Sequence, residues 1–307
     1  MKSLDIVAIG EPLMELAEVE RGGERLYLPG FGGDVSNAVI AAARQGARTC
    51  MITALGDDAF GRAFLDLWDR EGVDRSTVIR REGGRTGVYF ISYGPEGHEF
   101  SYARAGSAAS LMTIADLPLA QIAASRVLHA SGISQAISQD AADAVFAAIR
   151  HAKANGTVVS YDTNLRLRLW PLDRARAVIH GAVALADIAL PGLDDARQLT
   201  GLDRPEDVCA YYLGLGCRIV ALTMGKAGTM VAIPERREVM PARPVDAVDA
   251  TGAGDTFDGA FLAEWVLHGD PFRAAAYANA AAALSTLGQG AVAPMPRRAE
   301  VETFLRA

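Results

Sequence analysis

The chain has little to offer redox or metal chemistry. Its three cysteines, Cys50, Cys209 and Cys217, lack the paired spacing of a thiolate metal site, and an odd, low count argues against a disulfide framework. A reducing, cytoplasmic setting is the expectation. Histidine is equally sparse: His98, His129, His151, His180 and His268 include no i, i+4 pair that could ligate zinc from one helix. Positive charge is not in excess either, with a net charge of −7 and dispersed basic residues. That excludes the electrostatic footprint of a nucleic-acid binder, so an anionic ligand would have to be met by local groups. No apolar run approaches the ~20 residues of a membrane span. The start, MKSLDIVAIGEP, is too short in apolar residues for a signal peptide and reads as a buried first strand. There is no G-x-x-x-x-G-K-[ST] phosphate loop, and Gly10-Glu11-Pro12-Leu13 replaces the glycine fingerprint of a dinucleotide site.

What is present is an alternation. About half of the 307 residues are apolar, enough for one large domain or a domain with a small appendage. Short β-rich runs at 6–9, 49–54, 127–130, 158–161, 188–190 and 218–223 alternate with amphipathic stretches at 36–45, 59–71, 139–154, 174–186, 193–200, 205–215 and 254–267. Strands spaced by helices predict an α/β fold: a mostly parallel central sheet flanked by helices on both faces. In such sheets ligands lie beyond the carboxyl ends of the strands. Residues 1–307 are read as one domain with no linker. Segments of about 13–30 and 87–104 interrupt the alternation as β-hairpins, turning at Arg21-Gly22-Gly23-Glu24 and Gly94-Pro95-Glu96-Gly97. They are read as a small lid, with extra edge strands of the main sheet as the alternative.

The most informative stretch is Asp249-Ala250-Thr251-Gly252-Ala253-Gly254-Asp255 before an apolar helix. Glycines there permit close approach, and a helix N-terminus presents unpaired N–H groups and partial positive charge to phosphate oxygens. Asp255 would stand beside that nest, able to take a proton from a hydroxyl; equally, Asp249 and Asp255 read as helix caps. Gly32-Gly33-Asp34-Val35-Ser36-Asn37 could meet a sugar through Asn37, or cap a helix through Asp34 or Ser36. Tyr89, Tyr102 and Arg104 accompany the second hairpin, and Arg104 suits a carboxylate, although a salt bridge explains any single arginine. Asp162, Asn164 and Arg166 follow a strand, where Arg166 could neutralise an anion or pair with neighbouring acids. Asp194 and Asp195 could hold Mg²⁺ through water or cap a helix. Thr223, Gly225 and Gly228 could face a nucleotide or form a simple hairpin turn.

Together these residues resemble the ribokinase-like, or PfkB, carbohydrate kinases over essentially the whole chain. Gly32-Gly33-x-x-x-Asn37, Gly56-Asp57-Asp58-x-Phe60-Gly61 and Asp249-x-Thr251-Gly252-Ala253-Gly254-Asp255 occur in that family's order and spacing. Gly10-Glu11-Pro12-Leu13, Tyr102-x-Arg104-x-x-Ser107-Ala108, Ser131-Gly132-Ile133 and Asp162-x-Asn164-x-Arg166 look most like the 2-keto-3-deoxygluconate kinases within it. The resemblance implies ATP-dependent phosphorylation of a sugar acid at its terminal hydroxyl, giving the 6-phosphate. Fructokinase, ribokinase or 5-keto-2-deoxygluconate kinase activity is the alternative, and an idle sugar-binding protein a further one. It implies Asp255 as general base and the N–H groups of Gly252, Ala253 and Gly254 as an anion hole. Gly33, Asn37, Tyr89, Tyr102, Arg104, Ile133 and Arg166 would hold the sugar, and Thr223, Gly225, Gly228 and Asn279 would line the ATP site. Mg²⁺ and a monovalent cation such as K⁺ are expected, as is a homo-oligomer formed through the lid. Two departures concern metal and nucleotide: Gly192-Leu193-Asp194-Asp195 stands where many members have Asn-x-x-Glu, leaving Asp195, and the basic residue nearest Thr223 is Lys226. Because a helix dipole favours the ionised carboxylate, Asp255 is expected to be a weak base.

Overall fold

The computed structural model describes residues 2–94 and 97–306; Pro95 and Glu96, at the tip of the second expected turn, lie outside the described residues. The main sheet has eight strands. From edge to edge they are Arg236–Met240 (β14), Thr229–Ile233 (β13), Ile219–Thr223 (β12), Ile188–Leu190 (β11), Val158–Asp162 (β10), Ser125–Ser131 (β9), Leu4–Ile9 (β1) and Thr49–Ile52 (β4). From β12 to β4 every pairing is parallel, whereas β13 and β14 run antiparallel at one edge. Ala54–Gly56 (β5) and Ile79–Arg81 (β6) form a small separate ladder, so the single run expected at 49–54 is broken at Thr53.

Alternation in the strands serves both faces. Val7 and Ile9 face one side with Leu128, Val159 and Val220, beneath Gln139–Ala154 (α5), Leu172–Val183 (α6), Leu193–Thr200 (α7) and Pro205–Leu215 (α8). The short helices Leu119–Ala124 (α3) and Gly132–Ala136 (α4) complete that layer. Ile6 and Ala8 face the other side, covered by Asp34–Arg44 (α1), Ala59–Glu71 (α2), Ala253–His268 (α9), Pro271–Ser285 (α10) and Arg298–Arg306 (α11). Phe257 and Phe261 of α9 stack with centroids 5.8 Å apart and are fully buried, each worth about 1.5–3 kcal/mol in burial. Helices α1 and α9 pack backbone to backbone: a Cβ on Gly259 would run into the Ala38 carbonyl and stand 2.7 Å from the Ala41 Cβ.

A second, four-stranded sheet rises after β1. Leu13–Arg21 (β2) pairs antiparallel with Glu24–Gly32 (β3) and parallel with Gly87–Gly94 (β7), which pairs antiparallel with Gly97–Ala103 (β8). The two hairpins thus join into one sheet, separate from the main one. No helix among the described residues is long and apolar enough to cross a membrane.

Candidate active site

The carboxyl ends of the parallel strands converge on the N-termini of α1 and α9. Gly252, at φ 73°, is the N-cap of α9, and a Cβ there would lie 2.9 Å from the Ala291 side chain. The first bond within the helix runs from Thr256 N–H to the Gly252 carbonyl at 2.8 Å, so the N–H groups of Gly254 and Asp255 precede it and face outward as orphans. The Ala253 N–H is already engaged by the Ala250 carbonyl at 3.2 Å. Asp249 does not cap the helix. Its Oδ1 accepts from Thr251 N–H and hydroxyl at 2.9 and 2.7 Å, and its Oδ2 accepts from Gly290 N–H at 2.9 Å, fixing the turn.

Asp255 makes no cap either. Its Oδ2 accepts from Asn37 Nδ2 at 2.8 Å. Burial, reinforced by the charge of Asp34, pushes its carboxyl up to about 7, against the Asn37 hydrogen bond and the Arg166 charge. The direction is opposite to that expected from the helix dipole alone, and burial is its first cause. Beside it lies a second carboxyl that the sequence reading passed over. Asp258, one turn along α9 and 4% exposed, hydrogen-bonds Asp162, and burial followed by mutual repulsion raises both well above the carboxylate range. Such neighbours cannot all ionise together.

Asp34 also turns out not to cap α1, whose N-cap is Gly33. It accepts from Asn164 Nδ2 at 3.0 Å, and Asn164 holds the one positive φ among the described non-glycine residues, 24°. Ser36 accepts from Trp68 Nε1 at 3.1 Å instead of capping. Asn37 is buried, and its Oδ1 is left without a partner.

Arg104 is not free. Glu11, 2% exposed and given no role of its own within Gly10-Glu11-Pro12-Leu13, accepts from Arg104 Nε at 2.8 Å and from the Ser107 hydroxyl at 2.6 Å. Arg104 Nη2 lies 2.5 Å from the same carboxylate but off the hydrogen-bonding angle, so its N–H groups stay unsatisfied in a buried position. Tyr89 stacks on Tyr102 at 5.8 Å and donates to Glu15; Tyr102 is 45% exposed. Ile133, half-buried, sits in α4 after β9. Arg166 is half-exposed, donates to the Leu165 carbonyl and lies 3.8 Å from Asp195.

The nucleotide and metal expectations meet a different arrangement. Asp195 is no cap; its Oδ2 accepts from Leu165 N–H at 2.9 Å, and burial raises its carboxyl. No group of three acids, histidines or cysteines among the described residues is placed to hold a metal ion. Thr223 ends β12 and donates its N–H to the Pro191 carbonyl at 2.9 Å, while Gly225 and Gly228 form the turn of the β12–β13 hairpin. Asn279 departs from expectation. Buried in α10, it donates to the Met240 carbonyl at 2.8 Å and accepts from the Thr229 hydroxyl at 2.7 Å, so its amide fastens the sheet edge.

A glycine-started helix and a buried carboxyl thus lie beyond the strand ends of a mostly parallel sheet, and comparison with known families says what class of protein carries them. The chain belongs to the pfkB family of carbohydrate kinases, which it matches over residues 3–298. A 2-dehydro-3-deoxygluconokinase of Thermoproteus tenax is 35% identical, over 97% of this chain and 93% of that protein. Fructokinase-1 of Oryza sativa subsp. japonica is 33% identical over 96% of each. Among solved structures, a putative ribokinase II of E. coli in complex with ATP and Mg²⁺ superposes with a TM-score of 0.91 at 28% identity, covering 99% of each chain.

Proposed function

We propose that the protein is a 2-keto-3-deoxygluconate kinase, transferring the γ-phosphoryl of ATP to the terminal hydroxyl of the sugar acid to give the 6-phosphate. The observation that carries the transfer is the pairing of Asp255 and Asn37 at the glycine-started N-terminus of α9. Asp255, with its carboxyl near 7, takes the hydroxyl proton. Asn37 holds Asp255 in place and offers its unpaired Oδ1 to a second sugar hydroxyl. The orphan N–H groups of Gly254 and Asp255 fit the charge that builds on phosphoryl oxygens, where positioning and electrostatics supply most of the catalysis. ATP, when bound, would contribute the phosphoryl group. A divalent ion would be held through water and phosphate oxygens, with Asp195 the proposed protein ligand. A monovalent cation is a further proposal, supported by the family resemblance alone.

The acidic substrate is supported by Arg104, whose Nη2 is buried and makes no hydrogen bond, and by the 35% identity to a 2-dehydro-3-deoxygluconokinase. The second reading is a fructokinase. Glu11 already neutralises Arg104, which suits a neutral ketose, and a fructokinase is almost as similar. The four-stranded sheet is read as the lid that excludes water during transfer, and its free edges β3 and β8 as the route to a homo-oligomer. A coupled ADP-release assay across sugars and sugar acids tests the assignment: the keto-acid should give the highest kcat/KM, and faster turnover of fructose would overturn the acid while leaving the kinase.

A further inference from the structure

The second sheet carries a carboxylate that stability alone would not select. Glu15 on β2 is 5% exposed. Burial raises its carboxyl, the Tyr89 hydroxyl favours its charged form, and nearby Asp249 opposes it. A buried carboxyl that forms no salt bridge among the described residues is costly, and an apolar residue would serve the fold better.

The register shows what accommodates it. Gly30 lies opposite Glu15, Glu15 beside Tyr89, and Tyr89 opposite Tyr102, a row of four across β3, β2, β7 and β8. Side chains of one such row share a face of the sheet. Tyr89 donates its hydroxyl to Glu15 Oε2 and stacks on Tyr102. The strand opposite has been emptied to admit the pair: a Cβ on Gly30 would stand 2.7 Å from Glu15 Oε1, and one on Gly32 would stand 2.7 Å from the Tyr89 hydroxyl. Glu15 Oε1 lies 3.9 Å from where a Cβ on Gly290 would stand, and Gly290 N–H donates to Asp249, so the row sits beside the turn that precedes α9.

A phenol has one proton to donate and lone pairs to accept with. With that proton committed to Glu15, the Tyr89 oxygen can only accept. We propose that Glu15 is a positioning residue that fixes the polarity of Tyr89, so that this point of the pocket takes a hydroxyl of the sugar and turns away a carbonyl or carboxylate oxygen. An acceptor placed there would meet lone pairs with no proton between them, a repulsive element of specificity. The proposal rests on the sugar-kinase reading, under which Tyr89 meets substrate, and it holds for whichever sugar is used.

The test is a double-mutant cycle of Glu15→Gln and Tyr89→Phe, run on the sugar that gives the wild type its highest kcat/KM. Glutamine can donate to the phenolic oxygen and release the phenol's own proton toward the ligand, which reverses the polarity. Glu15→Gln should raise KM about tenfold with kcat within about twofold, Tyr89→Phe should do the same, and the double variant should be no worse than Tyr89→Phe alone. A merely structural glutamate would lower the melting temperature and act equally in both backgrounds. An unchanged KM in Glu15→Gln, or effects that multiply in the double variant, overturns the proposal. If Glu15→Gln folds poorly, Glu15→Met, which removes the acceptor without adding a donor, goes through the same cycle. A wild type that phosphorylates no sugar sinks the kinase reading, whereas an active wild type with multiplying effects sinks only the role of Glu15.

Discussion

The two sides of the cleft handle buried acids in opposite ways. On the floor, Asp34, Asp162, Asp255 and Asp258 crowd together, and the half-exposed Arg166 is the cation that acts on Asp255. On the side of the lid, each acid has its own donors: Glu11 has Arg104 and Ser107, and Glu15 has Tyr89. Burial and the crowding of like charges favour the protonated carboxyls and lift Asp255, the proposed base. Individual pairing holds donors in fixed orientations, which is what recognising a sugar requires. On the proposed reading, the floor serves proton transfer and the four-stranded sheet reads shape and polarity.

Breaking the floor should cost the most. Replacing Asp255 by Asn removes the base while keeping the partner of Asn37. Steady-state kinetics should show kcat lower by several orders of magnitude, on the order of 10³ or more, with a modest change in KM; retained turnover would refute the base. Gly252→Ala comes next. A Cβ at φ 73° and 2.9 Å from Ala291 should cost roughly 1–3 kcal/mol of strain and distort the anion nest, visible as a lower melting temperature together with a fall of about 10–100-fold in kcat.

The carboxyl near 7 gives the same contrast a pH signature. The base works ionised, so kcat/KM should rise about tenfold per pH unit below 7 and level off above it. The stability sign is the reverse. Asp255 is raised above its unfolded value of 3.8, so its protonated form is the one the fold favours, and the ionised group erodes stability as pH climbs from about 4 through 7. Asp255→Asn should therefore melt higher than the wild type at pH 8, and the gap should close near pH 4. On the lid side the effects are smaller and fall on binding. Arg104→Ala should raise KM for the keto-acid about 10–100-fold with little change in kcat. If KM for a neutral ketose rises as much, Arg104 is holding Glu11 and not a carboxylate.

Much of the floor was legible in the sequence because local chemistry announces it. A glycine pair before an apolar helix, and acids at the ends of β-rich runs, place Asp255, Asn37 and Asp162 before any packing is known. The boundaries of α2, α5, α7 and α8 follow from amphipathic periodicity. The alanine-rich helix α10 was missed because it is buried on most sides and shows no polar stripe, although Asp270 caps it and Pro271 opens it. The edge strands β13 and β14 were missed because Gly225–Gly228, the turn that leads from β12 into β13, was weighed as a nucleotide contact, and no strand was read beyond it. Glu11, Glu15 and Asp258 were missed for a common reason: an acid is read as surface unless its partner is in view. Their partners, Arg104, Tyr89 and Asp162, lie 93, 74 and 96 positions away. In hindsight the signal for Glu15 was the pair of glycines, Gly30 and Gly32, spaced by two in the strand that faces it.

The close packing of α1 against α9 through Gly259 has a consequence for how such a protein can diversify. Asn37 and Asp255 come from segments 218 residues apart, yet the contact of the two backbones sets their separation like a fixed gauge. Movements of the lid, or substitutions within it, leave that gauge untouched. A lineage could thus exchange one sugar for another by rewriting the row that contains Glu15 and Tyr89, while inheriting the phosphoryl-transfer end unchanged.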